Sequence, residues 1–346
     1  MSSWRLSWPS ALGEQTGSGV LKRFPEDFRV HEQWSDTDPV ASVSAGEITD
    51  VPGAGEHLLL YVEKTGDNTP WVARQLGEMA GCGEAGIGYC GLKDRQAVTR
   101  QWFSVQRPGR EGEDVEFVRA VHSQWPVLAV ARRSRKLRRG EHSANEFEIR
   151  IRELQGVGER IQAHLELMAR HGCPNYFGSQ RFGHDGANLD RAIAMSRRPR
   201  DRGRRRKSSG AREGMYFSAA RSWLFNEVLA ARVLDGSWRQ RLEGEPDPQQ
   251  ATGPLWGDGG TVATGGQGRL EREVVGGYPA MEAVFASTRM APERRELVLR
   301  PDGLNWQFVE CDGETTLDIR FSLPPGQYAT TMLSSVLDLR ETDEGA

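Results

Sequence analysis

The most informative segment of this chain is Gly88-Tyr89-Cys90-Gly91-Leu92-Lys93-Asp94-Arg95-Gln96-Ala97-Val98-Thr99-Arg100-Gln101-Trp102-Phe103. A glycine-containing turn leads into a predicted strand that begins near Ala97. Asp94 lies in this turn between Lys93 and Arg95, and neighbouring cations favour the ionised form of a carboxyl group. An ionised Asp in a basic loop is a candidate nucleophile. An Asp in such a turn is, however, more often only a turn residue.

Helix and strand patterns surround this loop. Upstream, a helix is predicted with Thr69 as its N-cap, Pro70 at the first helical position and Gly81 just past its end. Residues 56–63 have the apolar density of a buried strand, and residues 145–152 and 316–321 alternate as strands. These patterns place strands on both sides of the loop.

The middle of the chain is richer in helix patterns. Helices are predicted over residues 158–171 and from Ser218 to near Gly236, and helical spacing also runs from Tyr328 to Leu339. Residues 236–268 are rich in Gly and Pro and are expected to form a long loop or an irregular part of a second domain. The 346-residue length suggests two domains. Together these features favour an α+β fold.

Charge is segregated along the chain, although the net charge is only −3. Residues 132–139 hold six basic residues and no acid, and residues 197–207 hold eight basic residues and one acid. A local positive face is sufficient to bind phosphates on a mildly acidic protein. The same runs would also suit a solvated surface. The candidates for contact with a nucleic-acid backbone are Arg132, Arg133, Arg135, Lys136, Arg138, Arg202, Arg204, Arg205, Arg206 and Lys207.

The sequence predicts no cofactor site and no metal site. The segment 81–86 matches the GxGxxG pattern, but it follows a predicted helix where a dinucleotide-binding loop needs a preceding strand. The seven histidines have no ligand-like spacing, and the four cysteines lack CxxC spacing. This cysteine pattern fits a reducing cytoplasm. No apolar run is long enough for a membrane span.

Three aromatic residues stand in polar or basic surroundings: Phe28, Phe147 and Tyr328. Taken singly, each is more often a core residue than a platform for a ligand. Together with the basic clusters, they fit a nucleobase stacked on an aromatic ring.

The loop sequence Gly91-Leu92-Lys93-Asp94-Arg95-Gln96-Ala97-Val98-Thr99 resembles that of the TruD family of tRNA pseudouridine synthases. The resemblance continues in Pro174-Asn175-Tyr176-Phe177-Gly178-Ser179-Gln180-Arg181-Phe182-Gly183. It extends in order through residues 21–28, 135–147, 219–226 and 319–326. The family resemblance implies a pseudouridine-synthase catalytic domain, with a mixed sheet and an RNA-binding cleft, over residues 1–171 and 302–346. It also implies an inserted α/β TRUD domain over residues 172–301.

The resemblance also implies residue roles. Asp94 falls on the catalytic aspartate of the family, and Lys22 falls on a basic residue beside it. Phe147 falls on the aromatic that stacks on the target uracil, and Phe28 and Asn145 fall on substrate-contacting positions. Tyr328 falls where family members often carry Phe, so its hydroxyl needs a partner or water.

These roles predict an isomerase that converts uridine, by resemblance uridine 13, to pseudouridine in tRNA through a flipped-out base. The reaction has no redox step, so it needs no cofactor. We expect tRNA as the partner, no membrane, no obligate protein partner, a monomer, and a cytoplasmic location. A non-catalytic RNA-binding protein or tRNA chaperone of the same fold is the alternative, and another RNA substrate is a third reading. Asp94 distinguishes them, since a binding module has no need of it.

Overall fold

The computed structural model describes residues 4–34, 40–44, 47–197, 210–286, 288–311 and 313–341. The chain divides into two compact units. We call them the sheet unit (residues 17–156, 301–326 and 339–346) and the helical unit (residues 1–16, 157–300 and 327–338). The division into residues 1–171 with 302–346 and residues 172–301 stays a prediction about the inserted domain. The compact units differ from it in assigning residues 1–16, 157–171 and 327–338 to the helical unit.

Helices and strands alternate irregularly along the described residues. The helices are α1 (Thr69–Ala80), α2 (Asp114–His122), α3 (Gly158–His171), α4 (Ala187–Ser196), α5 (Gly210–Leu234), α6 (Gly265–Gly276), α7 (Pro279–Phe285) and α8 (Ala329–Leu333). The strands are β1 (Gly17–Leu21), β2 (Phe28–Gln33), β3 (Ala41–Ser42), β4 (His57–Lys64), β5 (Ile87–Tyr89), β6 (Val98–Gln106), β7 (Val127–Arg133), β8 (Ala144–Gly156), β9 (Cys173–Pro174), β10 (Thr252–Leu255), β11 (Glu293–Glu296), β12 (Val298–Leu299), β13 (Asp302–Cys311), β14 (Glu314–Leu323) and β15 (Leu337–Glu341).

The sheet unit is built on one mixed sheet. Its main path, within the described residues, runs in the order β13-β14-β8-β2-β6-β4-β7-β3, with β5 against β6 and β1 against β8 and β15. The pair β2–β6 is parallel, whereas β14–β8, β2–β8 and β4–β6 are antiparallel. The predicted alternation of residues 145–152 is confirmed, because Phe147, Ile149 and Ile151 are buried and their neighbours along β8 are not.

Helix α1 covers part of this sheet. Its buried residues Val72 and Leu76 pack with Leu60 and Phe103 of strands β4 and β6. Gly81 ends the helix in the left-handed region at φ 70°, as the sequence predicts. The predicted N-cap is wrong by one residue.

The side chain of Asn68, not of Thr69, accepts the backbone N–H of Trp71 at 2.9 Å and caps α1. Thr69 is thereby inside the helix, and its hydroxyl is available for other partners.

Helix α5 is the centre of the helical unit. The predicted helix from Ser218 is confirmed, although α5 begins earlier, at Gly210. Trp223, Phe225 and Val228 are buried in a core shared with α4 and α7. The Asn226 side chain bonds both backbone polar groups of Phe177, accepting the N–H and donating to the carbonyl at 2.9 Å each. This pairing satisfies buried backbone groups that lie outside regular structure.

The C-terminal helix prediction is only partly right. Helical spacing from Tyr328 to Leu339 gives only the short α8, and the chain then enters strand β15. Pairing with β1 satisfies the backbone polar groups along one edge of β15, and this pairing overrides the helical spacing of the apolar residues. The Gly- and Pro-rich region 236–268 contains β10 and the start of α6 between irregular segments.

The helices of the described ranges include none that is both long enough and apolar enough to cross a membrane.

Candidate active site

The loop between β5 and β6 carries Asp94 and is held by buried polar contacts. The Gln101 side chain donates to the carbonyl of Gly91 at 2.7 Å. The Thr69 hydroxyl donates to Gln101 Oε1 at 2.9 Å and accepts the backbone N–H of Lys93 at 3.0 Å. Thr69 and Gln101 are fully buried. Since buried hydrogen bonds are costly to break, they fix the loop on the sheet.

Asp94 and Lys22 form an ion pair at this loop. Lys22 Nζ lies 2.8 Å from Asp94 Oδ2, and Asp94 Oδ1 accepts the backbone N–H of Gln96 at 3.1 Å. Lys22 Nζ also lies 3.2 Å from Glu341 Oε1. The side chain of Asp94 is 39% exposed while that of Lys22 is 8% exposed. The structure therefore brings together the two residues predicted as catalytic and leaves the carboxylate accessible.

The surroundings of Asp94 favour its ionised form. Partial burial raises the pKa of the carboxyl group, but the hydrogen bonds from Lys22 and Gln96 and the charges of Lys22 and Lys64 outweigh it. The pKa of Asp94 is therefore below its usual value. Burial lowers the pKa of Lys22, but Asp94 and Glu341 more than compensate, so it is raised. Both groups are charged at neutral pH, which suits a carboxylate nucleophile.

Aromatic rings lie next to the ion pair. Lys22 Nζ stands 5.0 Å from the ring centroid of Phe28, which meets Phe147 edge to face at 6.1 Å. Phe147 in turn stacks on Phe321 at 5.2 Å with an interplanar angle of 22°. All three rings are buried. Phe28 and Phe147, predicted to contact substrate, are thus connected to Asp94 through Lys22.

Asn145 is held by residues that sequence reasoning missed. Lys93 Nζ donates to Asn145 Oδ1 and lies 3.3 Å from Glu32 Oε1. Asn145 Nδ2 lies 3.1 Å from His142 Nε2. A signal existed for Glu32, because Phe28, Val30 and Glu32 alternate along β2 and place the carboxylate on the buried face.

The same cluster is the candidate metal site of the described residues. Ligand atoms of Glu32, Cys90 and His142 lie within 4.8 Å of one another, and all three residues are buried. Lys93 Nζ already faces Glu32 Oε1 at 3.3 Å and supplies the positive charge that this carboxylate needs. Burial also raises the pKa of the Cys90 thiol to about 12, which disfavours the thiolate that binds metals. These residues fit an ion-pair network and do not fit a metal ion.

Tyr328 lies in the helical unit. Its ring meets Phe177 at 6.2 Å, and its hydroxyl accepts a hydrogen bond from Arg181 Nη1 at 3.3 Å. Arg181 also donates to the hydroxyls of Ser222 and Ser218 at 2.7 Å each. The Tyr328 hydroxyl therefore has the hydrogen-bond partner that the sequence analysis expects for it.

Arg132 and Arg133 correct the prediction of a backbone-binding cluster. The side chain of Arg132 is 2% exposed, with Nε 2.5 Å from Asp114 Oδ2 and Nη1 3.1 Å from Glu111 Oε1. Arg133 is also buried; it bonds Glu141 and lies over the ring of Trp34. A guanidinium enclosed in this way does not reach a phosphate, so both residues have a structural role.

The remaining basic candidates differ in accessibility. Arg135 and Arg138 are exposed, and Lys136 is half-buried with its ammonium on the carbonyl of Ala85 at 2.6 Å. The Arg135 guanidinium is paired with Glu141, with Nη2 2.7 Å from Glu141 Oε1, although its side chain remains exposed. Each of the three side chains is at least partly accessible to a polyanion. The second predicted cluster lies outside the described residues and comprises Arg202, Arg204, Arg205, Arg206 and Lys207.

Comparison with known proteins places this chain in one class, the pseudouridine synthases. A protein described as a candidate tRNA pseudouridine synthase D from Methanosarcina mazei has the same fold, with a TM-score of 0.66, 20% identity and coverage of 96% of each chain. The family model for tRNA pseudouridine synthase D (TruD) matches residues 11–190. Proteins named tRNA pseudouridine synthase D are 52% identical in Marinobacter nauticus and 39% identical in Pseudomonas putida, each covering 98% of this chain and 97% of the relative.

The chain belongs to the tRNA pseudouridine synthase D (TruD) family. It is accordingly an enzyme of the isomerase class, and the predicted α+β fold with a mixed sheet is confirmed.

Proposed function

We propose that this enzyme isomerises uridine to pseudouridine in tRNA, at uridine 13, with Asp94 as the nucleophile. The observation that carries the proposal is the Lys22–Asp94 ion pair beside Phe28. It combines an ionised, accessible carboxylate with aromatic surface in a single site. The names of the relatives support tRNA as the substrate. The target position rests on the family resemblance of the loop that carries Asp94.

The chemistry requires one carboxylate. The N1–C1′ bond of the target uridine breaks, the uracil turns, and C5 forms a new bond to C1′, so the product has the atoms of the substrate. Asp94 either attacks C1′ directly or assists the departure of uracilate and traps the sugar; both routes need its ionised form, which Lys22 favours. Loss of the C5 proton, with a proton gained at N1, completes the isomerisation.

The target base has to leave the folded RNA before it meets Asp94. Extrusion costs a few kcal/mol, and stacking on an aromatic ring offsets about 1–3 kcal/mol of it. In the proposal Phe147 stacks on the uracil, while Phe28 and Asn145 contact the nucleotide. The edge of Phe28 against Phe147 and the stacking of Phe321 hold this aromatic surface in place. Tyr328 contributes a further aromatic contact.

Arg135, Lys136 and Arg138 are the described candidates for the tRNA backbone. They follow β7 on the segment that leads to β8, which carries Asn145 and Phe147. Phosphate contacts of this kind set affinity and register rather than the chemical step. We also propose that the enzyme acts as a monomer in the cytoplasm. The unpaired thiols of Cys82, Cys90 and Cys173 are compatible with a reducing compartment.

Tritium release from unmodified tRNA labelled with [5-³H]uridine tests the function. Formation of pseudouridine displaces the hydrogen at C5, so we expect release by the wild-type protein from tRNA that carries uridine 13. The same tRNA with cytidine 13 is the control and is expected to release none. Release from neither RNA would contradict the proposed activity, and equal release from both would contradict the assigned position.

A further inference from the structure

Glu32 is a buried carboxylate for which the proposed chemistry has no use. Its side chain is fully buried. Oε2 accepts the backbone N–H of Trp102 at 2.9 Å, which fixes the group to strand β6. Oε1 lies 3.3 Å from Lys93 Nζ, whose side chain is 6% exposed. A buried charge without its partner is strongly destabilised, so Glu32 holds the Lys93 ammonium in one place.

Lys93 determines how the Asn145 amide is oriented. An ammonium group is a donor only, so the atom of Asn145 that it contacts must be the oxygen, Oδ1. The amide nitrogen then points to the other side, where it lies 3.1 Å from His142 Nε2. An amide that was rotated by half a turn would set two donors against each other at Lys93.

His142 can accept the hydrogen bond from Asn145 in only one protonation form of its ring. Since Asn145 Nδ2 is a donor, His142 Nε2 must accept and cannot carry a proton. The ring is therefore neutral with its hydrogen on Nδ1, whose nearest carboxylate oxygen is Glu32 Oε1 at 3.9 Å. Burial and then the charge of Lys93 lower the pKa of His142 to about 4, which keeps the ring neutral at physiological pH.

We propose that Glu32 and His142 are positioning residues that, together with Lys93, fix the Asn145 amide with its nitrogen as the donor to a carbonyl oxygen of the target uracil. This inference rests on the proposed function, in which Asn145 contacts the base. Asn145 is half-buried, so the amide remains accessible on one side. A donor suits the carbonyl oxygen at C4 of uracil and opposes the amino group that cytosine has there. The network thereby favours uracil over cytosine.

The tautomer of His142 tests the network without any RNA. Nitrogen-15 NMR of the histidine rings, with His142→Gln to assign the signals, is expected to show protonated Nδ1 and bare Nε2 at pH 7. A ring protonated at Nε2, or at both nitrogens, would overturn the proposed orientation of the amide. This measurement does not depend on the activity, so it separates failure of the network from failure of the proposed function.

Single-turnover tritium release with saturating enzyme tests the positioning role. His142→Leu removes the acceptor and is expected to slow release about tenfold, the effect of one lost hydrogen bond, with unchanged tRNA affinity. His142→Gln keeps an acceptor oxygen and should stay within about threefold of wild type. His57→Leu, which removes another buried histidine of the sheet unit, is the matched control and is expected to leave the rate unchanged. Equal rates for His142→Leu and wild type, or equal losses for His142→Leu and His142→Gln, would overturn the proposal.

The ratio of the affinities for tRNA with uridine 13 and with cytidine 13 would not change if Glu32 and His142 had a purely structural role. In the Asp94→Asn background, which prevents turnover, tRNA with uridine 13 is expected to bind more tightly than tRNA with cytidine 13. Adding Glu32→Gln or His142→Leu should narrow this ratio, since the amide is then less firmly oriented. An unchanged ratio in both double variants would overturn the assignment of base selectivity to this network.

Discussion

Lys22 Nζ lies 2.8 Å from Asp94 Oδ2 and 5.0 Å from the ring centroid of Phe28. One buried ammonium therefore contacts both the carboxylate assigned to the chemistry and the aromatic surface assigned to the base. Lys22 has a φ of 57°, in the left-handed region that non-glycine residues rarely adopt. Such a strained conformation persists only where the surrounding structure holds it. Here the ion pairs of Lys22 with Asp94 and Glu341 fix the direction of its side chain.

Replacement of Lys22 by Met is expected to shift the acid limb of the pH profile. Asp94 is needed ionised, and its folded-state pKa is lowered by the hydrogen bond and charge of Lys22 against the opposing effect of burial. Without Lys22 the pKa rises, so the acid limb of kcat/KM should move to higher pH by about one unit or more. Lys22→Arg keeps the charge and should move it less. An acid limb that stays in place in Lys22→Met would show that Lys22 does not control the ionisation.

Arg132→Met is expected to reduce stability rather than only RNA binding. Arg132 is paired inside the sheet unit with Asp114, which is also buried. Removing one partner of a buried pair costs about 3–5 kcal/mol. Urea unfolding should show this loss, whereas the exposed Arg138→Ala should stay within about 0.5 kcal/mol of wild type. Equal stabilities of the two variants would mean that Arg132 is not a structural residue.

Arg138→Ala is expected to weaken tRNA binding and reduce its salt dependence. Each phosphate contact contributes a slope of about 0.7–0.9 to the dependence of log affinity on log salt. The slope should fall by about that amount, while the single-turnover rate at saturation stays the same. Arg119→Ala, an exposed arginine on α2, is the matched control. A slope that is equal in Arg138→Ala and wild type would remove Arg138 from the backbone contacts.

Tyr328→Phe is expected to remain within about twofold of wild-type activity. The ring face persists, and only the hydrogen bond from Arg181 at 3.3 Å is lost. Arg181 keeps its bonds to Ser218 and Ser222, so the guanidinium stays anchored. Tyr328→Leu removes the ring and should lower kcat/KM clearly further. Equal activities of the Phe and Leu variants would show that an aromatic ring is not needed at this position.

The fold was predictable where the pattern is local. The alternation of Phe147, Ile149 and Ile151 and the glycine at position 81 identify β8 and the end of α1 without tertiary information. Where the secondary structure depends on pairing with a strand far away in the sequence, the local apolar spacing predicts the wrong element. The helical spacing predicted from Tyr328 to Leu339 runs into β15 (Leu337–Glu341), which pairs with β1 instead of continuing a helix.

The site was predictable in part, through the resemblance of the loop and through the alternation along the strands. The partners of Arg132 could not be seen, because Asp114 is eighteen residues away and burial depends on how α2 packs. The run of basic residues at 132–139 therefore predicts one surface, although Arg132 and Arg133 are buried. The role of His142 could not be seen from its neighbours alone, because Asn145 lies three residues further along the same segment but Lys93 comes from the loop between β5 and β6.

Tritium release by Asp94→Asn is the most direct test of the central claim, that Asp94 is the nucleophile. The variant keeps the shape of the side chain and removes the negative charge. We predict release from [5-³H]uridine tRNA by wild type and none by Asp94→Asn, with tRNA affinity retained in the variant. Release by Asp94→Asn at a rate near wild type would contradict the account, because another group would then have to start the reaction.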